Sequence, residues 1–465
     1  MTKRTKTILF LFLAVAFLFA VPSLILYSQG YRIDWKAKRL AQIGAFYFKV
    51  IPSRADILIN EKLLKTTDFF FGSALLGNLL PRSYQVQIVK EGYQPWLKQL
   101  DIKEKEVTDA KNIILFPETP EFRIAADHVK QIWQSPQQKT LLLQKDSPEK
   151  TWKLVLLNLE TTGEKTIFTS KGREQILDVQ WSSDGTRILL GLENGESIRS
   201  LVLSLEMNQP CSLLPCDLAF LSEPIDEVMF SPTSKNTVFF TKFMRNAQVL
   251  READYVKKEI LASFGNSIVT FTVAAESLFW LENDGKLWQK DTGSQDSAHI
   301  LSSLSYPVKQ ETGYSIHSVG NMVFLKEDIK LLGAQQNENT LKEVFSGAKT
   351  IAASPDGKKL ALSNDSEIWI LYLQDSQDPP LHKTGDKVFL TRLSKNIKNL
   401  SWLNSHYLIF SSENEVKTIE IDDRSTINIA DLTQLEDPKI FWQELLETLV
   451  ALSQGSIYIS EKLIK

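Results

Sequence analysis

The sequence predicts an all-β fold carried on one N-terminal transmembrane helix, and three observations lead there. Eight stretches in the last three-quarters of the 465 residues vary one strand-turn-strand unit. Before them, residues 44–117 hold a shorter set of alternating strand-forming runs. Before both lies a single uncharged apolar stretch, Ile8 to Tyr27.

That stretch matches the roughly 20 residues needed to cross a hydrocarbon core. Lys3, Arg4 and Lys6 precede it, and positive charge ahead of a span favours a cytoplasmic N-terminus. The rival reading is a cleaved signal peptide, whose apolar core runs about 7–15 residues to a small-residue cleavage site. Here the run continues through Pro22 and Leu24-Ile25-Leu26-Tyr27. Residues 1–30 therefore read as a cytoplasmic stub and retained signal anchor, residues 31–43 as a linker, and everything beyond as a single-pass body outside the cytoplasm.

Within residues 44–117, Phe46 to Pro52 leads into Ala55-Asp56-Ile57-Leu58-Ile59-Asn60, and Tyr84 to Val89 repeats the alternation. Leu97 to Ile102 and Ala110 to Phe116 are further strand candidates. The period of two marks half-buried strands and predicts a small β-sandwich. The same residues resemble the bacterial PEGA domain. Pro52-Ser53-Arg54-Ala55 through Asn60 fits its first signature, and Leu80-Pro81-Arg82-Ser83-Tyr84 through Lys90-Glu91-Gly92-Tyr93 its second. Ser53-Arg54 stand where the family has Glu-Gly, Glu61 replaces the glycine after Asn60, and Arg82-Ser83 stand where a glycine is usual. The resemblance implies a non-catalytic surface or envelope module and no ligand. Between the signatures, Phe69-Phe70-Phe71-Gly72-Ser73-Ala74-Leu75-Leu76-Gly77 has two readings. It is an apolar contact loop for the bilayer or a partner, or part of it packs into the sandwich core; the second is favoured because most apolar residues are buried.

Residues 120–465 carry the repeat. Trp133, Trp181 and Phe230 follow one another at 48 and 49 residues, and Ala353 and Trp402 at 49. Such a period marks a repeat architecture. Trp181-Ser182-Ser183-Asp184-Gly185 and Ala353-Ser354-Pro355-Asp356-Gly357 are the clearest turns; glycine reaches positive φ freely and aspartate bonds nearby amides. Unit starts fall near Ala126, Leu177, Ile225, Ser267, Tyr314, Thr350, Ile397 and Pro438. The units resemble the blades of TolB-like and WD-repeat β-propellers, in which this turn joins the first two strands. The last unit shows only three strands, and Glu121 to Ala125 can complete it, closing a ring without exposed edges. Eight blades are expected, with seven the alternative. Trp181, Trp402 and Trp442 recur at one repeat position, which predicts inter-blade packing.

Composition narrows function. A net charge of −3 and a pI near 6.1 give no basic field for nucleic acid. Cys211 and Cys216 can close a small disulfide loop outside the cytoplasm or stay unpaired thiols. The five histidines show no metal-ligand spacing. Gly313-Tyr314-Ser315-Ile316-His317 departs from the G-x-S-x-G elbow at its last residue and opens a blade instead of joining strand to helix. Asp284-Gly285 and Asp422-Asp423 read as turns. No catalytic, metal or cofactor site is expected. The reading that follows is a membrane-anchored, extracytoplasmic, non-enzymatic scaffold of the bacterial cell envelope, held in the membrane by residues 8–27, whose propeller binds an envelope protein or glycan. The alternatives are a glycan-acting enzyme with its site at the channel, and a structural spacer.

Overall fold

The computed structural model describes residues 3–147, 151–172, 174–195, 197–212, 214–221, 225–244, 246–294, 296–302, 305–335 and 340–465. Helix α1 (Lys3–Ser28) contains an apolar segment, Thr7–Ser28, of 22 residues and mean hydropathy 2.8, none of it buried. A continuous apolar surface with no protein against it is what a lipid-facing helix presents. The side chains of Lys3, Arg4 and Lys6 lie outside the described set.

Residues 31–43, expected as a linker, instead begin with a hairpin of β1 (Tyr31–Asp34) and β2 (Arg39–Gln42). Asp34 sets its turn by accepting the amides of Lys36 and Ala37 at 3.0 and 3.2 Å, an Asx-type device that carries no apolar periodicity.

The sandwich follows, built from β3 (Gly44–Ile51), β4 (Asp56–Ile59), β5 (Lys62–Thr66), β6 (Ser73–Leu79), β7 (Ser83–Val89), β8 (Trp96–Asp101) and β9 (Val107–Ile114). One sheet has the order β6-β3-β9, with β3 and β9 parallel, and the other β5-β4-β7-β8. Phe46, Phe48, Val50, Ile57, Ile59, Val86 and Ile88 alternate inward and share one core with Trp96 and Leu100. β5 and β6 escaped the sequence reading: all five residues of β5 are exposed, and Gly77 and Asn78 interrupt the alternation of β6.

The described residues between 122 and 460 form eight four-stranded antiparallel sheets. Seven are meanders over residues 129–169, 175–217, 225–266, 268–302, 314–346, 350–392 and 397–434. The eighth joins three strands of residues 439–460 to Phe122–Ala126, with Phe122 opposite Ser460 and Ile124 opposite Tyr458. Each hydrophobic cluster of this body straddles two sheets. Leu142 and Leu154 pack with Ile188 and Leu203, Phe239 and Leu250 with Phe271 and Trp280, and Phe324 and Leu331 with Leu360 and Leu371. Another cluster joins the last sheet to the first, where Val450, Ile457 and Ile459 meet Ile132, Leu141 and Val155. Each sheet thus buries both faces against its neighbours, a propeller-like arrangement.

Candidate functional site at the domain junction

The sandwich meets the sheet of residues 397–434 through β8. Alternation along β8 buries Trp96, Lys98 and Leu100, which puts a lysine where an apolar residue is usual. Its cost is met by acids from the repeat body: Lys98 Nζ lies 2.5 Å from Glu420 Oε1 and 3.5 Å from Asp422 Oδ1, with the lysine side chain wholly buried. It also donates to the Asp422 carbonyl. Trp96 Nε1 donates to Glu420 Oε2 at 2.8 Å, and Asn428 donates to Glu420 Oε1 from its amide and from Nδ2. Glu420 nonetheless stays above the usual carboxylate range, because desolvation outweighs the pull of Lys98.

Around this pair, side chains of the repeat body bond to the backbone of the sandwich. The Leu97 amide donates to Asn428 Oδ1 at 3.0 Å, Asn428 Nδ2 returns a bond to the Leu97 carbonyl at 2.9 Å, and the Gln99 amide donates to Ser425 Oγ at 3.0 Å. Arg424 grips Asp422 with Nη2 at 2.6 Å and the Asp109 carbonyl with Nη1 at 2.8 Å. Burial raises Asp422 and its bonds from Arg424, followed by the charge of Lys98, lower it further, so it ends below its ordinary value. Ile114 donates its amide to the buried Tyr407 hydroxyl at 3.1 Å, and Phe116 packs edge-on against the Tyr407 ring. Asp422, read from sequence with Asp423 as a turn, therefore belongs to the junction; nothing local to it announces a lysine more than 300 residues away.

Beside the ion pair lies a cleft of about 180 Å³ walled by both domains, with Lys111, Asp356, Lys359, His406, Tyr407 and Asp422 on its surface. Burial, and then the Lys359 ammonium, hold His406 below its ordinary value, so its ring is neutral at pH 7. Asp356 belongs to the second predicted turn. Burial raises it, but Lys359 Nζ at 2.8 Å, Ser354 Oγ at 2.5 Å and the Lys358 amide hold its carboxyl at about 2. The cleft offers hydrogen-bond donors, acceptors and one neutral imidazole, which suits binding of a small polar group.

The other sequence-predicted residues lie apart. Asp184 accepts from Ser182 Oγ, Thr186 Oγ1 and the Thr186 amide, with Gly185 at φ +67°, and Gly357 repeats this after Asp356 at φ +66°. Pro355 lies within the second of these turns, which the Gly357 amide closes on the Ser354 carbonyl. Trp181 is half-buried between the first two meander sheets, while Trp402 and Trp442 are buried and Trp402 Nε1 donates to the Ala352 carbonyl of the neighbouring sheet at 2.9 Å. Cys211 and Cys216 are joined by a disulfide, Cα–Cα 5.0 Å. The run from Phe69 to Gly77 divides between its two readings: Ala74 and Leu76 enter the sandwich core, while Phe69, Phe70 and Phe71 are exposed.

On the first strands of their sheets, two arrangements carry chemistry that the sequence reading did not assemble. Ser315 Oγ lies 3.0 Å from His317 Nε2, an i,i+2 pair on one strand face. Glu227 is pushed up to about 7 by burial and then by the charge of Asp178 on the preceding sheet. No group of three or more His, Cys, Asp or Glu placed to hold a metal occurs among the described residues.

No protein-family model matches this chain, and no curated protein matches it. Solved structures do. The computationally designed Ika8 protein is 12% identical with a TM-score of 0.48, covering 74% of this chain and 99% of its own. Sqt1 of Saccharomyces cerevisiae is 12% identical at 0.44, covering 75% and 98%, and the β-propeller domain of Myceliophteria thermophila Cps50 (Swd1) is 13% identical at 0.41, covering 73% and 99%. These superpositions are loose, and the strand pairings and inter-sheet clusters carry the fold.

Proposed function

We propose that this chain is a single-pass, extracytoplasmic binding scaffold of a bacterial cell envelope, without catalytic activity. Its α1 is a retained anchor, its sandwich a PEGA-like stalk, and its repeat body an eight-bladed propeller of the TolB-like or WD-repeat kind that presents loops to a protein or glycan. The observation that carries this reading is the coupling of an unburied 22-residue apolar helix to a body whose two parts are locked by a buried ion pair. A rigid body on a membrane tether presents a binding face at a fixed geometry, and loops on a rigid scaffold are where recognition resides. Eight four-stranded sheets whose clusters run from the last back to the first support the blade count. The Cys211–Cys216 disulfide suits an oxidising exterior.

The test is affinity capture by the full-length, detergent-solubilised chain from envelope extract and on a glycan array, with protease protection of intact cells for topology. One protein or glycan retained reproducibly, and a body cleaved only from outside, support the reading. Retention of nothing leaves a spacer, and a body protected from external protease reverses the topology.

A second reading rests on Glu227 and Asp178. Burial, and then the charge of Asp178, push Glu227 up to about 7, the range that suits the general acid of glycan cleavage. Release of reducing ends from envelope glycans by the wild type, abolished in Glu227→Gln, would establish it.

A further inference from the structure

The sandwich turns β8 to the repeat body and leaves its opposite side, β5 and β6, uncovered. On that side Leu63 and Leu64 of β5, Leu75 of β6 and the loop residues Phe69, Phe70 and Phe71 are all exposed, Phe70 at 83% and Phe71 at 74%. Leaving so many large apolar groups together in water is unfavourable and marks a contact surface.

The loop is built to hold them there. Asp68 Oδ1 accepts the amides of Phe70 at 2.9 Å and Phe71 at 2.7 Å, and Oδ2 accepts the Ser73 amide and hydroxyl. Gly72 adopts φ +63°, where a Cβ would fall 2.1 Å from the Val50 carbonyl oxygen, so the bend requires glycine. Cations rim the apolar tip: the Arg54 guanidinium sits 4.1 Å from the Phe69 ring centroid, and Lys65 Nζ reaches the Leu75 carbonyl at 3.1 Å. Lys49, Arg54, Lys62 and Lys65 are exposed.

We propose that this side of the sandwich is a second membrane contact, with Phe69, Phe70 and Phe71 seated in the headgroup layer and Lys49, Arg54, Lys62 and Lys65 against anionic lipid phosphates. The proposal rests on the reading of α1 as an anchor. Apolar side chains at a tip flanked by long cationic ones fit the water–lipid boundary, where the rings enter the acyl edge and the ammonium groups stay at the phosphates. Only residues 29–43 separate α1 from β3, and the eight residues of β3 span about 26 Å. The free side is thus confined near the bilayer, and a tethered contact acts at high effective concentration. Seating it there directs the repeat body, on the opposite side of the sandwich, away from the lipid.

The test uses the full chain in liposomes of phosphatidylcholine with about one-third phosphatidylglycerol, doped with a lipid carrying a diazirine near its headgroup, and maps photolabelled peptides by mass spectrometry. Labelling is expected in α1 and in residues 62–76. In Phe70→Glu/Phe71→Glu, labelling of residues 62–76 falls about tenfold while α1 labelling and the melting temperature hold. Leaving out phosphatidylglycerol lowers labelling of residues 62–76 selectively. Label in α1 but not in residues 62–76, above that around the exposed Leu381, overturns the second contact and keeps the anchor. Label in neither overturns the anchor reading as well. Crosslinks from residues 62–76 to a second copy of the chain replace the lipid with a protein partner and overturn the proposal.

Discussion

Replacing Lys98 with methionine should unlock the sandwich from the repeat body. The lysine side chain is wholly buried and that of Glu420 is 4% exposed, with 2.5 Å between Nζ and Oε1. Removing one partner of such a pair strands the other in a low-dielectric site and costs about 3–5 kcal/mol. That shifts the opening equilibrium by about a hundredfold to several thousandfold. The assay is hydrogen exchange on the full-length protein at the amides of Leu97 and Gln99, which donate across the junction to Asn428 Oδ1 and Ser425 Oγ. Exchange at both should accelerate, while strand amides deep in the repeat body hold. The defect should depend on pH. Burial already raises Glu420 despite Lys98, and losing the cation raises it further. A carboxyl whose folded pKa is raised contributes stability below its ordinary value of 4.5, and that contribution is lost as pH rises through the folded pKa. Lys98→Met should therefore be mildest in acid and worsen toward neutrality. Adding Glu420→Leu should restore most of the protection, since no unpaired acid then faces the gap. An acceleration below about threefold at Leu97 and Gln99, within the ordinary range for surface substitutions, would refute the claim that this pair holds the domains together.

Three further outcomes can be checked by urea or thermal unfolding. Glu227, pushed up to about 7, contributes stability below 4.5 that is lost as pH rises through 7; Glu227→Gln should therefore gain on the wild type between pH 5 and 8 by about 1–2 kcal/mol after allowance for partial solvent screening, and a pH-independent difference would contradict this. Gly285→Ala should lose more than about 2 kcal/mol, because the residue sits at φ +81° and a Cβ would fall 1.8 Å from the Tyr306 carbonyl oxygen. Gly77→Ala, with nothing within 4 Å of its Cβ, is the control expected near zero. Replacing Cys211 and Cys216 together by serine should cost about 2 kcal/mol by loop closure, and an unchanged midpoint would show that the bond adds nothing to the fold.

Much of the fold was legible because its signals are local. Seven of the eight unit starts lie within two residues of those read from the sequence, and the first lies at Val129 against Ala126. Alternation and the Ser-x-Asp-Gly turn are written within a few residues of where they act. The strand that completes the last sheet was also legible, since three strands without a fourth point back to the start of the repeat body. β5 was not, because an edge strand with every residue exposed has no inward face to alternate with, and β6 was not, because Gly77 and Asn78 break its alternation after Leu76. The hairpin of residues 31–42 rests on one aspartate accepting two amides, which leaves no periodic trace.

By itself the sequence determined an apolar helix, a set of alternating strands and a repeat of about 48 residues, since each is an average over neighbouring side chains. Tertiary structure alone decided what faces what. Lys98 reads as an ordinary polar position until the fold places Glu420 beside it, and Trp96 and Glu420 stand 324 residues apart. The phenylalanines of residues 69–71 have the composition of a core, yet they stand exposed on a loop where Asp68 caps the amides of Phe70 and Phe71. In both places the outcome depends on which groups share a desolvated volume, and that is set by packing between distant segments rather than by any pattern along the chain.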